Sequence, residues 1–234
     1  MSLPKIQYPI FELILPSNKE VVKFRPFTVK EEKILLLSQE SEDTKDRLRA
    51  MRQIVNNCCF NLSKDIGLLP SIDLEYCFLK IRSKSIGNIV ELKYRDLVDE
   101  KIYSFDVDLD ELEVTFNDKH VSTIKITDSL GIIMSHPTIE MLEEIKIDLN
   151  DPESIFELIK KCVSTIYDED NTYDTKDYTN EELSTFIESI PSKIFENITE
   201  FFDTMPVLKH NLHYTDTAGT DKTITLQGIN DFFQ

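Results

Sequence analysis

The sequence predicts an α+β protein with an N-terminal hairpin leading into helices, a small mid-chain antiparallel sheet and a mainly helical C-terminal lobe. Three observations predict this class. Apolar residues recur with a helical period over 28–87, with a strand period over 89–127, and again mostly with a helical period over 137–202. The chain has 234 residues, of which 41% are hydrophobic, enough to build one large domain or two small ones.

The N-terminus is predicted to form a β-hairpin. Two apolar segments, 6–15 and 21–27, flank the turn-rich spacer 16–19. Pro26 has no backbone N–H to donate, so it suits a strand end or a sheet edge better than a central position. The second strand should therefore stop at this proline.

Three helices should follow the hairpin. Thr28 with Glu31 three residues later forms a capping-box pattern, and the apolar run 34–37 comes at the right distance for a helix to have begun. Apolar residues share one face of a second helix over 44–60. A third helix is predicted over 70–87, where a glycine suits the terminating left-handed turn.

Strand and helix signals then alternate along the rest of the chain. Four segments read as strands of the small antiparallel sheet, namely 89–94, 102–109, 112–116 and 121–127. Helices are predicted over 137–145, 151–163, 181–190 and 192–202, and a strand pair over 207–214 and 223–226.

One acidic segment suggests a division of the chain. Residues 168–179 hold five Asp or Glu against one Lys, and their only apolar residues are tyrosines, which is typical of a loop or linker. We therefore predict an α+β domain over 1–167 and a C-terminal lobe over 180–234 that packs on it.

Charge and composition exclude several classes of partner. The formal net charge of -17 argues against a surface that follows nucleic-acid phosphates, because such binding depends on clustered Lys and Arg. No apolar run approaches the ~18 residues of a membrane span, and the N-terminus lacks a secretory signal. The 4 cysteines include no C-x-x-C pair, so reduced thiols are expected. These features predict a soluble cytosolic protein without nucleic acid or stable membrane insertion.

The sequence contains no recognisable motif for catalysis or for cofactor binding. The glycines are too far apart for a phosphate-binding loop or a dinucleotide fingerprint, so no cofactor or small-molecule substrate is predicted. Asp106, Asp108 and Asp110 imitate the start of a calcium loop, but the later glycine and bidentate carboxylate are missing. His210 and His213 fall in a predicted strand, where odd spacing sends them to opposite faces. We predict no metal site and no catalytic residue, and an uncharacterised enzyme stays an alternative.

Four segments carry a family resemblance: Arg25-Pro26-Phe27 with Glu31 to Leu35, Asn57-Cys58, Leu79 to Gly87, and Gly228 to Phe233. In combination they resemble the baseplate protein family of T4-type contractile-tailed bacteriophages, whose members act in assembly of the baseplate hub. The resemblance implies other hub proteins as partners. It also implies a location in the host bacterial cytoplasm or in the baseplate hub of the virion.

A zinc site that some relatives could hold is not expected in this chain. Relatives that carry Cys pairs in the mid-chain hairpin and near the chain end could hold zinc there. The corresponding regions of this chain, 94–103 and 217–219, contain no cysteine. No metal is therefore expected from the resemblance.

The resemblance implies a non-enzymatic tail morphogenesis factor that promotes assembly of the central hub as a chaperone for hub subunits. A minor structural subunit retained in the virion is the alternative. The predicted partner contacts are Arg25, Phe27, Glu31, Glu32, Lys33, Arg82, Lys84, Phe232 and Phe233. Each group also has a structural alternative. The residues in 25–33 could form a required strand-to-helix joint. Arg82 and Lys84 could complement the dipole at the end of the third helix, and the terminal aromatics could pack on the protein's own core.

Overall fold

The computed structural model describes residues 4, 6–39, 44–145 and 151–232. Over these residues the chain forms seven α-helices and eleven strands in four sheets. It divides into two compact units, a first unit of residues 1–115 and 207–234 and a second unit of residues 116–206. The mixture of helix and strand is as predicted, but the arrangement of the sheets is not.

The strands are β1 (Phe11–Ile14), β2 (Val21–Phe24), β3 (Ile89–Arg95), β4 (Ile102–Asp108), β5 (Val114–Thr115), β6 (Thr123–Lys125), β7 (Gly131–Met134), β8 (Val163–Tyr167), β9 (Thr172–Asp174), β10 (Val207–Thr215) and β11 (Asp221–Gln227). The α-helices are α1 (Val29–Gln39), α2 (Thr44–Cys58), α3 (Ser71–Ile86), α4 (Ile139–Glu144), α5 (Pro152–Cys162), α6 (Asn180–Glu188) and α7 (Ser192–Asp203). Short 3-10 helices cover Ile66–Leu68, Thr175–Asp177 and Ile229–Phe232.

The first unit begins as the sequence predicts. β1 and β2 pair antiparallel with Phe11 opposite Phe24, and β2 leads through Pro26 into α1. α2 packs against both α1 and α3. α3 is followed by Gly87, whose backbone φ of 136° is one that residues with a Cβ atom rarely adopt.

The prediction of a single small mid-chain sheet is wrong. β3 and β4 pair only with each other, β5 pairs with β10, and β6 pairs with β7. The four segments predicted for one sheet are therefore shared among three sheets. Alternation of apolar and polar residues indicates that a segment is a strand, but it carries no information about which strand will lie beside it.

A four-stranded antiparallel sheet in the order β6-β7-β8-β9 belongs to the second unit. β7, β8 and β9 were not predicted. Val163 begins β8 directly after α5 ends, so it belongs to the strand although the apolar spacing of the helix extends to it. Ile132, Ile198 and Phe201 are fully or almost fully buried in the core of this unit.

The acidic segment 168–179 lies inside the second unit. It contains β9, which pairs with β8, and a 3-10 helix. The Tyr173 hydroxyl donates a hydrogen bond to Asp168 Oδ2 at 2.7 Å across the turn between these strands. The division into a domain over 1–167, a loop or linker over 168–179 and a C-terminal lobe over 180–234 packed on that domain stays a prediction.

The prediction of a mainly helical C-terminal lobe is also wrong. α6 and α7 belong to the second unit, whereas β10 and β11 return to the first unit and form a long antiparallel ladder. The local strand signals over 207–226 are correct. The two helices and the two strands are adjacent in the sequence, but adjacency along the chain does not determine which unit a segment joins.

None of the described helices is both long enough and apolar enough to span a lipid bilayer.

Candidate functional site

A buried ion pair fixes the joint between β2 and α1. Arg25 Nη1 lies 3.2 Å from Glu31 Oε2, and Arg25 Nη2 lies 3.2 Å from Glu31 Oε1. The guanidinium also donates to the carbonyl oxygens of Pro26 at 2.9 Å and Asn57 at 3.2 Å. Because Asn57 lies near the end of α2, the pair joins three elements. A bidentate Arg–carboxylate geometry with further hydrogen bonds offsets the desolvation cost of burying the two charges.

Glu31 also closes the start of α1. Its Oε2 accepts hydrogen bonds from the Thr28 N–H at 2.9 Å and from the Thr28 hydroxyl at 2.7 Å, as the capping-box pattern predicts. Burial raises the pKa of Glu31, but the hydrogen bonds from Arg25 and Thr28 outweigh it and bring the pKa down to about 2. The carboxylate is therefore charged throughout the physiological range.

The predicted contacts in this segment fall into two groups. The Arg25 side chain is 16% exposed and Glu31 has no exposed surface, so both serve internal contacts. Phe27 is half-buried. Glu32 and Lys33 are exposed on α1 and are accessible to a partner.

α1 turns large apolar side chains toward solvent. Val29 is 80% exposed, Leu36 58% and Leu37 59%. Separations of seven and eight residues bring Leu36 and Leu37 to the face that carries Val29, and Lys33 lies between them. Together with Glu32, these residues form what we call the α1 surface. Adjacent exposed apolar side chains with charged neighbours are typical of protein interaction sites.

The apolar run 34–37 indicates where α1 begins, but it does not indicate which face of the helix is buried. In the structure the buried positions include Glu31 and Ser38, two polar residues seven apart on the opposite face. The Ser38 hydroxyl donates to the Leu35 carbonyl oxygen at 2.8 Å. The capping box alone does not predict this orientation, since Glu182 forms the same motif with Thr179 and stays exposed. Glu31 differs in that it also pairs with Arg25.

Two cations of α3 have structural contacts. Lys80 Nζ donates to the carbonyl oxygens of Leu109 at 3.2 Å, Asp110 at 2.8 Å and Leu112 at 3.3 Å. Lys84 Nζ lies 2.7 Å from Asp110 Oδ2. Both lysines therefore hold the segment after β4 against α3.

Arg82 differs from its neighbours. Its Nη1 donates to the Gly87 carbonyl oxygen at 3.1 Å, and it has no carboxylate partner among the described residues. Burial lowers its pKa. Ile86, one turn further along α3, is exposed. A guanidinium has five N–H donors, so Arg82 retains hydrogen-bonding capacity for a partner.

Ser85 brings the two predicted contact regions together. Its Oγ accepts a hydrogen bond from the Phe27 N–H at 2.9 Å. Lys84 Nζ lies 5.9 Å from the ring centre of Phe11 in β1. The start of α1 and the end of α3 are thus neighbours within the first unit.

The comparison with protein families agrees with the resemblance. A family model described as "T4 bacteriophage base plate protein" matches residues 8–234. The chain belongs to this family. It is therefore a bacteriophage baseplate protein, with a role in the phage tail. No curated protein and no solved structure gives a significant match.

The C-terminus of this baseplate protein is tied to its own first unit. Phe232 has no exposed surface and packs in the core. The Ile229 N–H donates to Glu75 Oε2 at 3.2 Å, and burial raises the pKa of Glu75 to about 7. Phe233 lies outside the described residues.

A histidine pair in the second unit was missed by the sequence analysis. The Nε2 atoms of His120 and His136 lie 2.8 Å apart, and both rings pack against Phe201. The Thr204 hydroxyl donates to the Glu200 carbonyl oxygen at 2.6 Å and lies 3.0 Å from His120 Nδ1. Thr204 therefore accepts from His120 Nδ1–H, and His120 Nε2 accepts from His136 Nε2–H.

This pair matches no sequence motif, because its members are 16 residues apart and only the fold brings their rings together. Burial lowers the pKa of both His120 and His136. Among the described residues no three His, Cys, Asp or Glu side chains are grouped as metal ligands. We read the pair as a packing contact that depends on neutral imidazoles.

Proposed function

We propose that this baseplate protein is a non-enzymatic assembly factor that promotes formation of the central hub as a chaperone for hub subunits. One observation carries the proposal, the exposed apolar side chains of the α1 surface. The buried pair of Arg25 and Glu31 anchors the helix that presents them. An apolar surface held by a rigid joint is suited to covering an apolar surface of another protein.

The proposed occupant is a hub subunit with an apolar patch that is bordered by basic residues. Its apolar patch would cover Leu36 and Leu37, and its basic residues would lie near Glu32. The net charge of -17 favours encounter with such a partner. Arg82 at the nearby end of α3 adds a hydrogen-bond donor for a carbonyl or carboxylate group of the same partner. Binding would shield the patch until the next subunit replaces the chaperone.

A structural subunit retained in the virion is the second candidate. The same apolar residues would suit a permanent interface, since permanent interfaces are more apolar than transient ones. The two candidates differ in one observable property, the presence of the protein in the finished particle.

Quantitative mass spectrometry of purified mature particles, beside hub intermediates from infected cells, tests the proposal. A chaperone is expected in the intermediates and absent from the particles. A fixed whole-number copy in the mature particle would favour the structural subunit. Absence from both samples would overturn the hub-assembly role.

A further inference from the structure

The turn between β3 and β4 carries two adjacent apolar side chains that are almost fully exposed. Leu97 is 87% exposed and Val98 is 82% exposed, more than any other large apolar residue that the structure describes. We call residues 96–101 the β3–β4 tip. Single exposed apolar residues are common on proteins, but a neighbouring pair at the end of a hairpin calls for a reason.

Asp96 holds one side of this tip. It is almost fully buried, and its Oδ1 accepts a hydrogen bond from the Val98 N–H at 2.8 Å. Its Oδ2 accepts from the Tyr214 hydroxyl at 2.8 Å and from Lys222 Nζ at 2.6 Å. The last two residues belong to β10 and β11, so a second hairpin supports the first.

Asp99 holds the other side. Its Oδ1 accepts from the Lys101 N–H at 3.0 Å and its Oδ2 from the Tyr103 hydroxyl at 2.7 Å. The N–H of Thr217, in the turn between β10 and β11, donates to Asp99 Oδ2 at 3.2 Å. These hydrogen bonds lower the pKa of Asp99, which stays ionised as an acceptor. The rings of Tyr103 and Tyr214 lie 4.4 Å apart between the two hairpins.

The hydrogen bonds that Asp96 and Asp99 accept from N–H groups two residues on are ordinary in turns. The contacts with Tyr214, Lys222 and Thr217 are not, because they come from a second hairpin. Their effect is to present Leu97 and Val98 in one backbone conformation, so that little conformational entropy is lost when they are buried by a partner. We propose that the β3–β4 tip is a second interaction site, which inserts Leu97 and Val98 into an apolar pocket of another baseplate protein whose rim is basic.

The charges around the tip determine the chemistry of that rim. Five carboxylates stand against three cations in the two turns and their flanking residues, which are Arg95, Asp96, Asp99, Glu100, Lys101, Asp216, Asp221 and Lys222. Lys222 pairs with Asp96 at 2.6 Å and with Asp216 at 3.3 Å, so these three charges are used internally. The remaining three carboxylates still outnumber the remaining two cations. Glu100 is exposed, with no ion pair among the described residues. An acidic tip repels nucleic acid and anionic lipid, so the complementary partner is a protein.

This inference goes beyond the proposed function, because it depends on the tip and not on the α1 surface. Its test uses the full chain and each baseplate protein of the same phage, purified separately, with affinity measured by titration calorimetry. The variant is Leu97→Ser with Val98→Ser. The matched control is Ile6→Ser with Val121→Ser, which removes the same side-chain atoms from two other exposed positions.

At least one baseplate protein is expected to bind the wild type, and the tip variant to weaken that binding about tenfold or more. The control should bind within about twofold of the wild type. Glu100→Lys should also weaken binding, and more so at low salt, if the rim is basic. Circular dichroism should show that the variants keep the wild-type fold, because the replaced side chains are exposed.

Wild-type affinity in the tip variant, or no binding of any baseplate protein to the wild type, would overturn the inference. A second variant, Leu36→Ser with Leu37→Ser on the α1 surface, tests the proposed function independently, with hub formation as the measurement. If the α1 variant fails to form hubs while the tip variant binds with wild-type affinity, only the inference about the tip is overturned. Weakened binding by the tip variant with normal hub formation by the α1 variant overturns only the chaperone role of α1.

Discussion

At the level of single residues, each unit contains a polar contact that joins several of its segments. Arg25 and Glu31 join β2, α1 and the end of α2 in the first unit. His120 and His136 pack on Phe201 and link to α7 in the second unit. Each contact depends on a protonation state, so each makes stability sensitive to mutation and to pH.

Glu31→Gln should destabilise the protein by about 3 kcal/mol, because it leaves the Arg25 guanidinium partly buried without its counter-charge. The free energy of unfolding from urea denaturation at pH 7 measures this effect. Glu32→Gln is the matched control, since it changes an exposed carboxylate and should shift stability by less than about 0.5 kcal/mol. Equal stability of the two variants would contradict a structural role for the buried pair.

The histidine pair should destabilise the second unit as the pH falls below about 6.5, the ordinary histidine value. The pKa of His120 and His136 is lowered in the folded protein, so the unfolded chain binds protons first and the free energy of unfolding decreases with falling pH. His136→Gln keeps a donor for His120 and removes one titrating group. Its unfolding free energy, measured between pH 7 and 5, should fall less steeply than that of the wild type. An unchanged slope would show that the pair does not titrate in this way.

At the scale of elements, the direction in which a helix faces matters more than its boundaries. α1, α2, α3, β3 and β4 begin and end close to the residues that periodicity predicts. α1 nevertheless exposes Leu36 and Leu37, because the buried Glu31 sets its rotation about the helix axis. Since the sequence does not predict this rotation, the α1 surface can be recognised only in the structure.

Leu36→Ser with Leu37→Ser should reduce the amount of hub intermediate in infected cells that depend on the variant, because it removes the apolar contact proposed for α1. Stability should change by less than about 0.5 kcal/mol, since both side chains are exposed. Native mass spectrometry of hub intermediates measures the effect. Arg47→Ser on α2 changes one exposed polar side chain in a neighbouring helix and serves as a control. Normal hub formation in the double variant would remove α1 from the proposed interface.

At the scale of the whole molecule, the chain leaves the first unit after Thr115 and returns to it at Val207. β10 and β11 therefore complete a unit that the N-terminal half begins. The acidic charge is a property of the entire chain, and it bears on the rate at which a partner is met more than on the fold.

Association with a basic baseplate partner should accordingly depend on salt. We expect the association rate constant to fall about tenfold between roughly 0.05 M and 0.5 M sodium chloride, because screening removes long-range attraction. The dissociation rate constant should change less, since apolar contacts are little affected by screening. Stopped-flow or surface plasmon measurements give both constants. A rate constant for association that is independent of salt would contradict electrostatic steering.

Local sequence patterns are sufficient to predict the mixed α+β class, most helices, the strands β1 to β4, β10 and β11, and the family. These features depend on local periodicity, on capping residues and on short motifs, all of which are contained within a few turns of chain. Glu32 and Lys33 were also predicted as partner contacts from a short motif; both are exposed, and their role as contacts stays a prediction.

The pairing of the strands, the buried face of α1 and the internal contacts of the α3 cations are visible only in the folded protein. The tertiary structure also reveals the pairing of His120 with His136 and the support of Leu97 and Val98 by a second hairpin. Each of these features joins residues that are distant in the chain. Periodicity specifies what an element is, whereas its partner is selected by packing and hydrogen bonding among elements that the local pattern does not relate.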